Sequence, residues 1–258
     1  ADGRSDIKRV GELFIHGLFL CVFLGILLFL GVYSLRNQMF HMGQPQEVVF
    51  LAFPYLNWVA GSLIPLVVFQ AFRQFSDGLS LTRPAMYATL FGNGINVILN
   101  YLLIFGHFGF PKLGVEGAAI GTFISRLMML LYIMLYVRYH KQFQKYELSL
   151  NFAQIKLFLV QKIFKLGLPS ALQMFFEVAF FVVAVWISGI LGTNSQAANQ
   201  IALNLTSMTF MVAMGLSATA MIRVGNQFGK KDYKELKRIA FSIFFLIFII
   251  DVFFCAFY

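Results

Sequence analysis

The stretch Leu18-Phe-Leu-Cys-Val-Phe-Leu-Gly-Ile-Leu-Leu-Phe-Leu-Gly-Val-Tyr33 contains no charged residue. It is the heart of an apolar run over Glu12–Ser34. At 1.5 Å per residue, about 20 such residues match the hydrocarbon thickness of a bilayer. Six more runs follow: Val48–Phe72, Pro84–Phe105, Gly117–Val137, Ile163–Leu191, Ser195–Ile222 and Ile239–Tyr258. Each is predicted to be a helix, because a helix satisfies its own backbone N–H and C=O groups in lipid without leaving an edge. No segment shows the ten-residue alternation of a membrane barrel. The fold class is therefore all-α, a polytopic membrane helix bundle with seven spans.

Composition agrees. Of the 258 residues, 59% are hydrophobic and 12% are charged, against about 25% charged in soluble domains. Mean hydropathy is +0.77. The 32 phenylalanines suit side chains that face lipid or fill gaps between helices. Cys21 and Cys255 both fall in apolar runs and have no ligand spacing, so they read as packing residues rather than as a disulfide or metal site.

The net charge of +9 is a topology signal. Seventeen of the 20 Lys and Arg residues fall on one side of the alternating loops. They lie in the first segment, at Arg73 and Arg83, between Arg138 and Lys165, and between Arg223 and Arg238. Arg36 and Lys112 fall on the other side, and Arg126 lies inside a span. The basic side is expected to be cytoplasmic, chain start included. This location of the charge argues against a nucleic-acid partner.

The pattern Gly3-Arg-Ser-Asp-Ile-Lys-Arg9 resembles Gly229-Lys-Lys-Asp-Tyr-Lys234 with Lys237 and Arg238. Six spans separate the two copies, which is the spacing of a parallel repeat, a device frequent in transporters. A repeat of this size implies about twelve spans in the whole protein. The chain opens without Met and stops inside an apolar run, so it reads as a piece cut at both ends. The expected division is 1–140 in one lobe, 141–162 as a cytoplasmic linker and 163–258 in a second lobe.

Polar groups at bilayer depth need a reason. Glu177 sits near the middle of the fifth span, four residues after Gln173. A charged carboxylate there costs about 3 kcal/mol on insertion scales, which marks it as a candidate proton or Na⁺ site. A structural carboxyl, hydrogen-bonded to a neighbouring helix, is the alternative. Thr89, Asn93, Asn96 and Asn100 recur on one face of the third span. That face either lines a cavity or knits helices together. Gln196, Gln200, Asn204 and Ser207 repeat the pattern in the sixth span, with Asn199 at the margin. Gly117 and Gly121 have the spacing for close helix approach. Arg126 is expected to pair with a carboxylate or to reach an interface. Pro65 and Pro169 interrupt helical hydrogen bonding and are expected to bend their helices. The four histidines show no metal spacing, and no Gly-x-Ser-x-Gly, phosphate-loop or His-Glu-x-x-His motif is present. Catalytic residues are therefore none, and no enzyme activity or cofactor is expected.

Several motifs carry a resemblance. They are Thr82-Arg-Pro-Ala-Met-Tyr87, Gly92-Asn-Gly-Ile-Asn-Val-Ile-Leu-Asn-Tyr101, Gly109-Phe-Pro-Lys-Leu-Gly-Val-Glu-Gly-Ala-Ala119 and Gly167-Leu-Pro169. To these are added Gly192-Thr-Asn-Ser-Gln-Ala-Ala-Asn-Gln-Ile201 and Arg223-Val-Gly-Asn-Gln-Phe-Gly229. Together they resemble the multidrug and toxic compound extrusion (MATE) family, in its NorM-like branch. The resemblance implies two six-helix lobes, with this chain running from the start of helix 3 into helix 9. It implies a monomeric antiporter of a bacterial plasma membrane that exports small organic cations in exchange for Na⁺ or H⁺. By similarity, Asn96 and Asn100 match the polar pair of the N-lobe cation and substrate region. Thr122 matches a threonine near it, and Glu177 matches the acidic residue on the first C-lobe helix. Thr89, Asn93, Gln173, Gln200 and Asn204 are the further cavity-lining candidates. The aspartate expected on helix 1 and the residues expected on helix 10 are not in this sequence. A lipid-linked oligosaccharide flippase is the nearest alternative, and would call for more basic residues than Arg126 within the spans. A membrane-embedded enzyme is the more distant one.

Overall fold

A computed structural model describes residues 7–41, 46–146, 155–190 and 192–257. The helices are α1 (Ile7–Leu35), α2 (Gln46–Gly78), α3 (Arg83–Phe105), α4 (Val115–Tyr139), the short α5 (Lys141–Gln144), α6 (Leu157–Ile190), α7 (Thr193–Lys230) and α8 (Tyr233–Phe257). Short 3₁₀ turns cover Arg36–His41 and His107–Gly109. No strand occurs among the described residues. Seven of the helices are long and apolar enough to cross a membrane, which matches the seven expected spans.

The helices run past the apolar limits at several ends. α6 starts at Leu157 rather than Ile163, and α7 continues to Lys230 rather than Ile222. Hydropathy marks where lipid ends. A helix ends where a cap or a backbone break intervenes, and α7 closes with Lys231 in the left-handed region. α2 continues through Pro54 and Pro65, and α6 through Pro169, each as one uninterrupted helix.

The chain forms two compact units. In Ile7–Lys156 the helices lie in the order α1, α2, α4, α3, with α2 and α4 in the middle. Where α1 begins and α2 ends, an aromatic cluster closes this unit. Phe14 packs 5.2 Å from Phe72 and 4.3 Å from Phe75, and Phe143 of α5 packs 5.8 Å from Phe75. Phe143 is fully buried, so the first residues of the expected linker belong to this core. His16 adds a polar tie. Its ring bonds the Glu12 carbonyl at 2.6 Å and accepts the Lys156 backbone N–H at 2.8 Å. Residues 147–154 of the linker, and the start of the Gly3–Arg9 repeat motif, lie outside the described residues. From Leu157 onward, α6, α7 and α8 form a row with α7 in the middle. None of their spans has a buried stretch, so this row has apolar surface to cover.

Gly117 and Gly121 let α4 lie against α3. A Cβ on Gly117 would meet the Leu103 carbonyl oxygen at 2.6 Å and its carbon at 2.8 Å. A Cβ on Gly94 would meet nothing within 4 Å. Gly117→Ala should therefore destabilise the full-length protein by about 1–3 kcal/mol through overpacking against backbone. Gly94→Ala should be neutral or stabilising by up to about 1 kcal/mol. Unfolding midpoints in detergent check this; equal midpoints for the two variants would contradict the close α3–α4 contact.

Candidate functional site

The contacts of α3 with α4 fix their relative direction. Leu103 meets Gly117, Asn100 meets Gly121, and Gly92 meets Ser125 and Met129. Numbers fall on one helix as they rise on the other, so the pair is antiparallel. Measured from the contact glycines at about 100° per residue, Thr89, Asn93, Asn96 and Asn100 turn to one side of α3. Thr122 and Arg126 turn from α4 to that same side, because equal rotations in an antiparallel pair go the same way. The opposite side is apolar on both helices. It carries Tyr87, Phe91, Ile98 and Leu102 on α3, and Ile120, Ile124, Leu127 and Leu131 on α4. One side of the pair is thus suited to lipid and the other carries the polar groups.

Within that polar side the groups differ in how they are satisfied. The Thr89 hydroxyl donates to the Ala85 carbonyl at 2.9 Å, and the Thr122 hydroxyl to Ala118 at 2.9 Å. Asn100 Nδ2 donates to Asn96 Oδ1 at 3.0 Å, one turn away. Asn100 Oδ1 is different. It is buried and has no hydrogen-bond partner among the described residues. It faces Gly121, where a Cβ would come within 2.7 Å of it. A buried acceptor with no donor costs about 1–3 kcal/mol. It is therefore a place where a bound cation, water or substrate donor would be stabilising. Asn93 lies exposed on the same face.

α2 completes the polar side. It runs parallel to α4, since Trp58 pairs with Glu116 and Ser62 with Arg126. Trp58 Nε1 donates to Glu116 Oε1 at 3.2 Å, and its ring packs on Phe123 at 5.8 Å. The Arg126 guanidinium donates to the fully buried Ser62 hydroxyl, which in turn donates to the Val59 carbonyl at 2.6 Å. Arg126 thus has a serine, and no carboxylate, as its partner among the described residues.

The remaining candidates lie in the second unit. Gln173 and Glu177 are one turn apart on α6, and both are exposed. Glu177 makes no ion pair among the described residues. Ser170 and Ser188 fall near the same α6 face by helical spacing. On α7, Gln200 and Asn204 are exposed, again one turn apart. Asn199 at their margin carries a buried amide nitrogen with no partner among the described residues. Gln196 lies in the first turn of α7, close to Gly189 at the end of α6. The structure thus brings Asn96, Asn100, Thr122 and Arg126 to one face of the first unit, and Gln173 with Glu177 to one face of α6. No group of three His, Cys, Asp or Glu residues with metal-site geometry occurs among the described residues.

This arrangement of apolar spans with a polar inner face matches one family model. The MatE model aligns with residues 1–102 and 169–258. The chain belongs to the MatE family. Its curated relatives include a probable multidrug resistance protein NorM of Rhizobium meliloti (strain 1021), 31% identical over 94% of this chain and 52% of the relative. Another is the multidrug resistance protein NorM of Aliivibrio fischeri (strain ATCC 700601 / ES114), 32% identical over 92% of this chain and 51% of the relative. The MatE chain spans about half the length of these relatives. Among solved structures it matches an outward-facing MATE family transporter with a TM-score of 0.85 at 24% identity, over 99% of this chain and 56% of that one. It matches an inward-facing MATE family transporter with a TM-score of 0.68 at 24% identity, over 99% of this chain and 59% of that one. These likenesses establish the MatE fold, an integral membrane helix bundle.

Sequence reasoning found the amides of this MatE chain but not the Ser62 anchor of Arg126 or the Trp58–Glu116 pair. Serine, tryptophan and glutamate at those positions carry no spacing signal, because their partners lie on another helix. The amide pair offers a test that separates packing from cavity lining. Removing both partners of a hydrogen bond in favour of similar apolar shapes is nearly neutral for stability. The double variant Asn96→Leu with Asn100→Leu in the full-length protein should keep its unfolding midpoint. It should lose at least about tenfold in transport rate, the loss expected when one favourable contact of about 1.4 kcal/mol is removed. Unchanged transport would make the pair a packing feature only.

Proposed function

We propose that the chain forms the central spans of a secondary active exporter of small organic cations, driven by inward Na⁺ or H⁺ and working by alternating access. The observation that carries this reading is the polar side of α3 and α4, with the unpartnered Asn100 oxygen at its edge, against Gly121. A membrane protein that needed only to pack would have no reason to keep an acceptor buried and unsatisfied there. The names of its relatives, multidrug resistance proteins, support the cargo class. The outward-facing and inward-facing transporter structures that share its fold support alternating access.

In this reading Asn96, Asn100 and Thr122 supply uncharged oxygens for the cation or substrate, with Thr89 and Asn93 extending the face. Glu177, with Gln173 one turn before it, supplies the charge that couples ion entry to export. On α7, Gln200 and Asn204 are the candidates for cavity lining. The ion is Na⁺ held at Glu177 or a proton on its carboxyl. No cofactor is needed, because a potential of 100 mV supplies about 2.3 kcal/mol per charge moved, enough for roughly a fifty-fold gradient. The protein works as a monomer in a bacterial plasma membrane, with the basic loops and the chain start in the cytoplasm.

The test uses the full-length protein in cells that lack other efflux. Glu177→Gln should abolish resistance to cationic drugs while membrane expression stays normal. Efflux from vesicles under a Na⁺ gradient or a pH gradient identifies the ion. Unchanged resistance in the Gln variant removes Glu177 from the mechanism.

A further inference from the structure

Within the seven expected spans, Lys165 lies at the basic start of its span, and Arg126 is the one Lys or Arg placed deep inside a span. It lies well inside α4, four residues and about one turn beyond Thr122, so the two share a face. A charge at this depth is costly unless it is paired or hydrated. Among the described residues the guanidinium has a single hydrogen bond, to Ser62. The serine is held in turn by the Val59 carbonyl, so it acts as a clamp that fixes the arginine and does not neutralise it. A guanidinium carries five N–H donors in a planar fork suited to a carboxylate. Four of those donors are left over, on a half-buried cation beside the amide face.

We infer that Arg126 is a specificity-determining residue that binds the carboxylate of zwitterionic substrates, next to the uncharged groups that face their aromatic and amine parts. This rests on the transport reading above, and names within it the residue that tells a zwitterionic substrate from a monocation. The apolar side of α4, with Ile120, Ile124, Leu127 and Leu131, faces away from Arg126, so the guanidinium is not placed to snorkel along the lipid surface. A monocation gains nothing from this arginine, because the two charges repel. A substrate with an added carboxylate gains a bidentate, charge-assisted pair.

The experiment compares two dyes in vesicles holding the full-length protein. One is a cationic rhodamine methyl ester, and the other is its free acid, a zwitterion with the same rings. The wild type should export both. Arg126→Gln should lower export of the acid at least about tenfold, the scale of a lost charge-assisted hydrogen bond, while ester export holds or rises. Arg126→Lys should restore part of the acid transport, since it returns the charge without the fork. Ser62→Ala, which frees the arginine but keeps its charge, should raise KM for the acid and leave the ester unchanged. An equal loss of both dyes in Arg126→Gln overturns the inference and makes the arginine a structural residue. So does a wild type that exports the ester alone. A wild type that exports neither dye sinks the transport reading itself.

Discussion

Two missing side chains set the geometry of the first unit. At Gly117 and Gly121 the surface of α4 has no Cβ, and the Leu103 carbonyl and the Asn100 amide of α3 occupy the space. Lipid provides no hydrophobic force between helices, so association depends on how closely surfaces fit. This fit fixes the rotation of both helices about their axes. Once the rotation is fixed, Tyr87, Phe91, Ile120 and Ile124 turn to one side, and Asn96, Asn100, Thr122 and Arg126 turn to the other. The sorting of lipid-facing from polar-facing residues follows from the glycine contact.

The bilayer then imposes a second sorting, among the polar groups themselves. Most hydroxyls satisfy themselves on their own helix, although the buried Ser76 hydroxyl of α2 has no partner among the described residues. Thr89, Thr122, Ser125, Ser188, Thr206 and Thr219 each donate to the carbonyl four residues back, at 2.6–3.0 Å. They are compatible with a dry contact and with a wet cavity alike. Amides and charged groups have more capacity than one local carbonyl can fill. Asn96 and Asn100 close on each other but leave one oxygen over, and Arg126 has one bond for five donors. The groups that cannot be satisfied locally are the ones that call for a ligand. Among the polar residues of the first unit, the amides and the arginine therefore carry more functional meaning than the threonines.

The legible part of this protein was large for the fold and partial for the site. Seven spans could be read because apolar length acts on each helix separately. The stripe from Thr89 to Asn100 could be read because helical periodicity places it on one face whatever lies opposite. The ends of α6 and α7 were not legible from the apolar runs, since each helix continues past a basic residue, Lys162 on α6 and Arg223 on α7. Nor was the partner of Arg126. A carboxylate or an interface was the expectation for a charge at that depth, yet the structure supplies Ser62 from α2, 64 positions away in the chain.

The order of neighbours is the source of that difference. The sequence by itself determined that the chain crosses a membrane seven times as helices, and which residues of each helix share a face. Both properties depend on rise per residue, turn per residue and the thickness of lipid, all of which are local. Only the tertiary structure decided that α4 sits between α2 and α3, with Gly121 under Asn100 and Ser62 under Arg126. Those pairings depend on the fit of whole helix surfaces against one another, and no single stretch of residues contains that information.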